Sequence, residues 1–220
     1  MLPPKEFKSE QSKVKKLRDK KCKNCPNKFT PRNIMQYVCT PKCAIEWNKK
    51  LAEKKEKKEW SEQKAVLKDK LKTLSDWKDD LQVEINKIVR LIDKNVSCIS
   101  SGATSGKVNS GHYVSRGSND TIRFNLHNIF LQSEHSNTHL SGDTLRYQDG
   151  LKQMYGLEYF ERVDSLRSTP LIKLSIDELR VKISVCRQIV KELQKADLTY
   201  PPKIRIELRE SLNKRIGIYL

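Results

Sequence analysis

Six cysteines and four histidines concentrate the chemistry available to this 220-residue chain. Cys22 and Cys25 are separated by two residues, Cys39 and Cys43 by three, and 13 residues lie between the pairs. Four thiolates on two tight turns close a tetrahedral shell around Zn²⁺. Such a site can organise a segment too short to build its own core. Pairing the four as disulfides is disfavoured in a cytoplasmic compartment. Every ligand position is sulfur, so the expected metal is structural. Pro26, Pro31 and Pro41 suit the turns, and Phe29 and Tyr37 offer a small apolar wall. Lys20, Lys21, Lys23, Lys28, Arg32 and Lys42 crowd the same segment and are its expected grip on DNA or a partner surface.

A second constellation is Ser110-Gly-His-Tyr113, then Asn128, then Ser133-Glu-His-Ser-Asn137. Its order and spacing resemble a His-Asn-Asn (HNH) nuclease core. There a histidine ends one strand of a hairpin, a middle asparagine braces the loop, and a final Asn or His opens the helix behind it. Phosphodiester hydrolysis needs a base to deprotonate water for in-line attack and a divalent cation, Mg²⁺ or Mn²⁺, to stabilise the developing charge. The resemblance implies His112 as the base, Asn128 as the residue that holds its loop, and Asn137 as a metal ligand.

The surrounding sequence adds Asn95-Val-Ser-Cys-Ile-Ser-Ser-Gly102, Gly-His-Tyr-Val-Ser-Arg-Gly117, Ile122-Arg-Phe124, Asn128-Ile-Phe-Leu-Gln132, Leu140-Ser-Gly142 and Tyr147. That series resembles the lambdoid phage NinG family, also called the Rap recombinase. The likeness covers the whole chain in outline and is sharpest from about Trp77 to Tyr155. It implies a structure-specific endonuclease acting on branched recombination intermediates such as Holliday junctions and D-loops. The chain departs from the pattern twice. Many members carry two Cys-x2-Cys pairs flanking the hairpin as a zinc knuckle, and here those positions read Cys98, Ser101, Ser133 and Ser136. One thiolate and three hydroxyls make no tight zinc site, so this core is expected to fold without that metal. Gly111 stands where many related nucleases place an Asp or His ligand. His139 and Asp143 are the nearest candidates to partner Asn137.

The elements that must position these residues define an α+β, predominantly helical fold. It has a ββα-metal (HNH-type) core, an N-terminal four-cysteine zinc finger and a long linking helix. The expected divisions are a flexible basic arm (1–20), the finger (21–44), a charged linker helix (45–75), the nuclease core (76–157) and a C-terminal helical region (158–220). Residues Ala44 to Leu74 lack Gly and Pro and are dense in Lys and Glu, with Glu53 to Lys57 as an i,i+4 pair. Leu67, Leu71, Leu74, Leu81, Ile85, Ile88 and Ile92 follow a heptad with one position filled by Lys78. That run suits either a coiled-coil homodimer or one helix packed on the core. Ser75 before Asp76 reads as an N-cap restarting the helix. Residues 97–111 read as an irregular loop, and Asn128 to Gln132 as the return strand with Ile129 and Leu131 on one face and Phe130 on the other. His127 and His135 read as exposed loop residues, and Asp143 as the cap of a helix ending at Gly156. Arg116 and Arg123 are placed to meet phosphates near the scissile bond, and Lys152 to reach the backbone. Ser175-Ile-Asp-Glu178 is a capping box opening a helix with an apolar stripe from Ile176 to Leu193.

The net charge of +17 favours a polyanionic partner, because each Lys or Arg on a phosphate releases counterions. With 36% hydrophobic and 32% charged residues, no apolar run approaches the roughly 18 residues a spanning helix needs. The N-terminus lacks a signal-peptide stretch, so no membrane partner and a cytoplasmic location are expected. Two other readings stay open: a degenerate nuclease scaffold that only binds or anneals DNA, and a zinc-finger regulator that dimerises through the heptad run.

Overall fold

The computed structural model describes residues 17–218 of a chain that divides into two compact units, Met1–Leu71 and Lys72–Leu220. Positions 1–16 of the expected basic arm lie outside the described residues. The fold is mostly helical with two small antiparallel hairpins. Among the described residues no helix is long and apolar enough to cross a membrane.

The first unit holds strands β1 (Lys20–Lys21) and β2 (Lys28–Phe29), followed by helix α1 (Pro41–Leu71). Helix α1 starts three residues before the expected Ala44, because the Thr40 hydroxyl accepts the Cys43 N–H at 3.2 Å and Pro41 needs no N–H partner at the first position. None of its 31 residues is buried. Its support is helix propensity and exposed pairs such as Lys55–Glu59 and Lys58–Glu62, each contributing about 0.3–0.5 kcal/mol.

The second unit opens with α2 (Leu74–Ile92). Its N-cap is Thr73, not Ser75: the Thr73 hydroxyl accepts the Asp76 N–H, and the Asp76 carboxylate accepts the Thr73 N–H at 2.8 Å. Asp76 at the third helical position closes the reciprocal box only with Thr73, which decides the start. The heptad run therefore straddles a helix break. Leu67 and Leu71 stay exposed at the end of α1, while Leu81, Ile85, Ile88 and Ile92 are fully buried. They pack on Leu179, Ile183, Cys186 and Ile189 of α5 (Ile176–Ala196) and on Leu212 and Ile216 of α6 (Pro202–Ile216). The expected Ser175–Glu178 capping box starts α5.

Between these helices lies the hairpin of β3 (Val108–His112) and β4 (Ile129–Ser133), in a register that sets His112 opposite Ile129 and Val108 opposite Ser133. Strand β3 thus claims four residues of the expected loop, and Asn128 belongs to a 3-10 turn just before β4. Alternation along β4 serves two cores. Ile129 joins the α2–α5–α6 core, and Phe130 joins a second one with Tyr147 and Leu151 of α3 (Thr144–Tyr155) and Tyr159 and Val163 of α4 (Leu157–Ser165). A buried ion pair ties the layers. Arg209 on α6 meets both carboxylate oxygens of Asp93 at 2.9 and 2.8 Å, donates to the carbonyls of Leu126 and Ile129, and lies 4.3 Å from the centre of the Phe130 ring. Asp93 also accepts the Leu131 N–H at 3.0 Å, so the end of α2, strand β4 and α6 share one network.

Candidate active site

In the first unit the four cysteine sulfurs lie within 4.8 Å of one another. Cys22 and Cys25 follow β1, Cys39 precedes α1 and Cys43 sits in its first turn. A regular tetrathiolate with Zn–S near 2.3 Å has sulfurs about 3.8 Å apart, and Cys25–Cys39 and Cys39–Cys43 measure 3.5 and 3.6 Å. The N–H groups of Asn24 and Cys39 each point at the Cys22 sulfur at 3.4 Å. Burial resists ionisation there, but those donors outweigh it and bring the Cys22 thiol down to about 6. The cluster is fit to hold a metal such as zinc. Lys21, Lys23, Lys28, Arg32 and Lys42 are exposed around it.

In the second unit His112 ends β3, half-buried, with Nε2 2.9 Å from the carbonyl of Arg123. A carbonyl only accepts, so Nε2 carries the proton and the Nδ1 lone pair is left to act as a base. Burial lowers the ring to about 4 against the opposing Arg123 carbonyl, and the charges of Arg116 and Arg123 push the same way as burial. The imidazole is therefore neutral at physiological pH.

Asn128, fully buried, clamps the loop that follows His112. Its Oδ1 accepts the Val114 N–H at 2.8 Å, while its Nδ2 donates to the carbonyls of Val114 at 3.0 Å and Ile122 at 3.2 Å. Ile122 immediately precedes the residue whose carbonyl holds His112. One side chain thus fixes both ends of the loop. Arg123 does not reach outward as expected. Its side chain is buried and donates to Gln82 and Asp79 of α2, because α2 passes under the hairpin with acceptors the local sequence does not reveal. Arg116 stays exposed, and Lys152 is exposed with its ammonium 4.6 Å from the Phe160 ring centre.

Asn137 lies in a π-turn, His135–His139, directly after β4. Among the described residues no hydrogen bond joins Asn137 to His112. His135 and His139 are exposed with rings 5.7 Å apart. His127, by contrast, is buried and not a loop residue at the surface. Tyr159 lies 2.8 Å from its Nδ1, and burial takes it down to about 3. Asp143 occupies the position before α3, but with φ +46° it makes no side-chain cap, so its expected capping role fails.

Cys98, Ser101, Ser133 and Ser136, far apart in the chain, do converge. The Cys98 sulfur accepts the N–H of Ser101 at 3.4 Å and of Ser133 at 3.1 Å, and the Ser133 hydroxyl accepts the Ser136 N–H at 3.2 Å. Burial opposes ionisation of Cys98, yet the donors from Ser101 and Ser133 bring it to about 7.

Two residues that the sequence analysis quoted for the resemblance but assigned no role also pack at the site. The Tyr147 hydroxyl donates to the Gly111 carbonyl at 2.8 Å and accepts the Phe130 N–H at 3.1 Å, locking α3 across the hairpin. Gln132 folds over Gly111, so that a Cβ added there would meet its Oε1 at 2.0 Å. The one signal for Gln132 was indirect: a glycine at a strand position that must leave room for something.

Comparison with known proteins adds a relationship. Residues 14–197 match the family described as Bacteriophage Lambda NinG protein. The chain is similar to Protein ninG of Escherichia phage lambda, 30% identical over 80% of this chain and 93% of that protein. Protein ninG of Enterobacteria phage H19B is 33% identical over 66% of this chain and 80% of that protein, and that of Salmonella phage P22 is 31% identical over 66% and 80%. No solved structure matches the chain.

Proposed function

This chain belongs to the bacteriophage lambda NinG family, and on that premise we propose that it is an HNH-type endonuclease that hydrolyses the backbone of branched DNA during phage recombination. The observation that carries the reading is the His112 imidazole, neutral, with Nε2–H committed to the Arg123 carbonyl and its loop clamped by Asn128. A positioned base with a free Nδ1 lone pair can take a proton from water as that water attacks phosphorus, and holding its rotamer matters because a misplaced base loses rate. Asn128 is thus a positioning residue. A divalent cation, Mg²⁺ or Mn²⁺, held in part by the amide oxygen of Asn137 would supply charge neutralisation at the leaving oxygen. Arg116 and Lys152, both exposed, suit backbone contacts, which favour recognition by shape over sequence. The net charge of +17 supports a nucleic-acid partner, and the four-cysteine cluster with its exposed lysines supports an anchoring role.

The test is cleavage of labelled four-way junction, D-loop and linear duplex DNA with Mg²⁺, Mn²⁺ or EDTA. Cuts confined to branched substrates, dependent on metal and lost in His112→Ala, support the reading. Junction binding without cuts under any metal leaves a DNA-binding or annealing protein on a degenerate scaffold, a second reading favoured by the missing acidic side chain at Gly111. Tight sequence preference without nicking would point to a zinc-finger regulator instead.

A further inference from the structure

Gly111 offers no side-chain oxygen, and the amide oxygen of Gln132 lies where a side chain on residue 111 would begin. Gln132 is fully buried on β4. Its Nε2 donates to the Ser100 hydroxyl and to the Gly142 carbonyl, both at 2.7 Å. Because a carbonyl cannot donate, this pairing fixes which end of the amide is which. Its Oε1 is then left buried with no hydrogen-bond partner, at the place where a side chain on residue 111 would begin. A buried acceptor without a donor is unfavourable, and an amide oxygen held this way is suited to a positively charged ligand.

The neighbourhood supplies further oxygen donors. Gly142, which receives the Gln132 amide, gives its own N–H to the Ser136 carbonyl at 3.0 Å. It is followed by Asp143, and Ser136 is followed by Asn137. Gln132, Asn137 and Asp143 are therefore gathered about one short turn. Asp143 repeats the anomaly: its Oδ2 is buried without a hydrogen-bond partner, its ion-pair contact is Arg146 at 3.8 Å, and its backbone adopts φ +46°. A left-handed backbone is unfavourable for a non-glycine residue and persists where the surroundings hold it. Two unmet buried oxygens, one of them from a carboxylate, suit a hard divalent cation, which takes oxygen ligands including amide carbonyls.

We propose that Gln132 Oε1 is a cation ligand that substitutes for the side chain Gly111 lacks, acting with Asp143 Oδ2 on the turn that carries Asn137. The inference rests on the nuclease reading for its purpose but is tested by binding. Gly111 is then required by sterics, since even an alanine methyl would displace the ligand oxygen.

The experiment measures Mn²⁺ binding to the full-length, zinc-loaded protein by the loss of the free-ion electron paramagnetic resonance signal, together with the shift in melting temperature that Mn²⁺ produces. Wild type should bind one Mn²⁺. Gln132→Met and Asp143→Asn should each weaken binding at least tenfold, and Gln132→Glu, which keeps an oxygen and adds charge, should restore or tighten it. Asp143→Asn also guards against a folding artefact. It preserves the size and shape of the side chain, so its metal-free melting temperature should hold while its Mn²⁺-induced shift disappears. Equal Mn²⁺ affinity in wild type, Gln132→Met and Asp143→Asn overturns the proposal, as does wild type that binds no Mn²⁺ at all. Gln132-dependent binding without DNA cleavage would retain this site and reject the nuclease reading. Metal-dependent cleavage with Gln132-independent Mn²⁺ affinity would do the reverse.

Discussion

Replacing Asn128 by alanine separates a clamp from a chemical participant. The side chain is fully buried and makes three hydrogen bonds, to the Val114 N–H and to the carbonyls of Val114 and Ile122. Truncation strands all three backbone groups away from water at roughly 1–3 kcal/mol each, so allowing for partial relaxation the loss should be about 3–6 kcal/mol. That is a large part of the roughly 5–15 kcal/mol that stabilises a typical domain, yet the variant should fold at low temperature. Asn128→Asp keeps Oδ1 but turns an oxygen toward two carbonyls, and it should lose a similar amount without changing volume. Urea unfolding reports the stability. Nitrogen chemical shifts of the His112 ring report the tautomer, which should be Nε2–H in wild type and mixed in Asn128→Ala, because the Arg123 carbonyl is no longer held in line. Junction cleavage should fall about 100-fold. A stability loss under 1 kcal/mol with an unchanged His112 tautomer would refute the clamp, and a collapse of cleavage on that background would move Asn128 into direct contact with the reacting phosphate.

Three further outcomes follow from other parts of the molecule. Removing zinc with a chelator, or substituting Cys39→Ser, should abolish the ordered structure of residues 20–40 in the full chain while the transition of residues 72–220 is unchanged, since the two units are separately compact; differential scanning calorimetry distinguishes the two transitions. His127 is held to about 3 in the fold, chiefly by burial with Arg162 and Arg209 adding to it, against 6.5 for the free side chain. The unfolded chain therefore binds the extra proton, so its contribution is complete above pH 6.5 and is lost as pH falls toward 3, at up to ~1.4 kcal/mol per unit. His127→Gln should flatten that slope in urea titrations between pH 4 and 6, and an unchanged slope would reject the assignment. Arg209→Met leaves Asp93 buried and unpaired and should cost about 3–5 kcal/mol, with Asp93→Asn/Arg209→Met recovering much of it; full additivity in this double-mutant cycle would show that the pair does not couple.

What the chain's own order of residues determined is what short-range physics controls. The spacing of Cys22, Cys25, Cys39 and Cys43 suffices to gather four sulfurs because each pair spans a single turn. The Ser175 capping box and the α5 stripe were legible for the same reason, since the partners lie within one or two helical turns. His112 at the end of a strand and Asn128 bracing its loop were likewise foreseen from the motif they resemble. The failures share an opposite cause. Arg123 left the surface because α2, more than 40 residues earlier, offers Asp79 and Gln82. His127 went inside because Tyr159 of α4 and Glu210 of α6 close over it. The heptad run was cut at Thr73 by a side-chain cap, and its buried half found α5. Gln132 acquired its place only because a glycine on the facing strand leaves a space and a turn ten residues later accepts its amide. Burial, charge pairing and the filling of space depend on which distant segment arrives opposite a residue, and only the tertiary structure decides that.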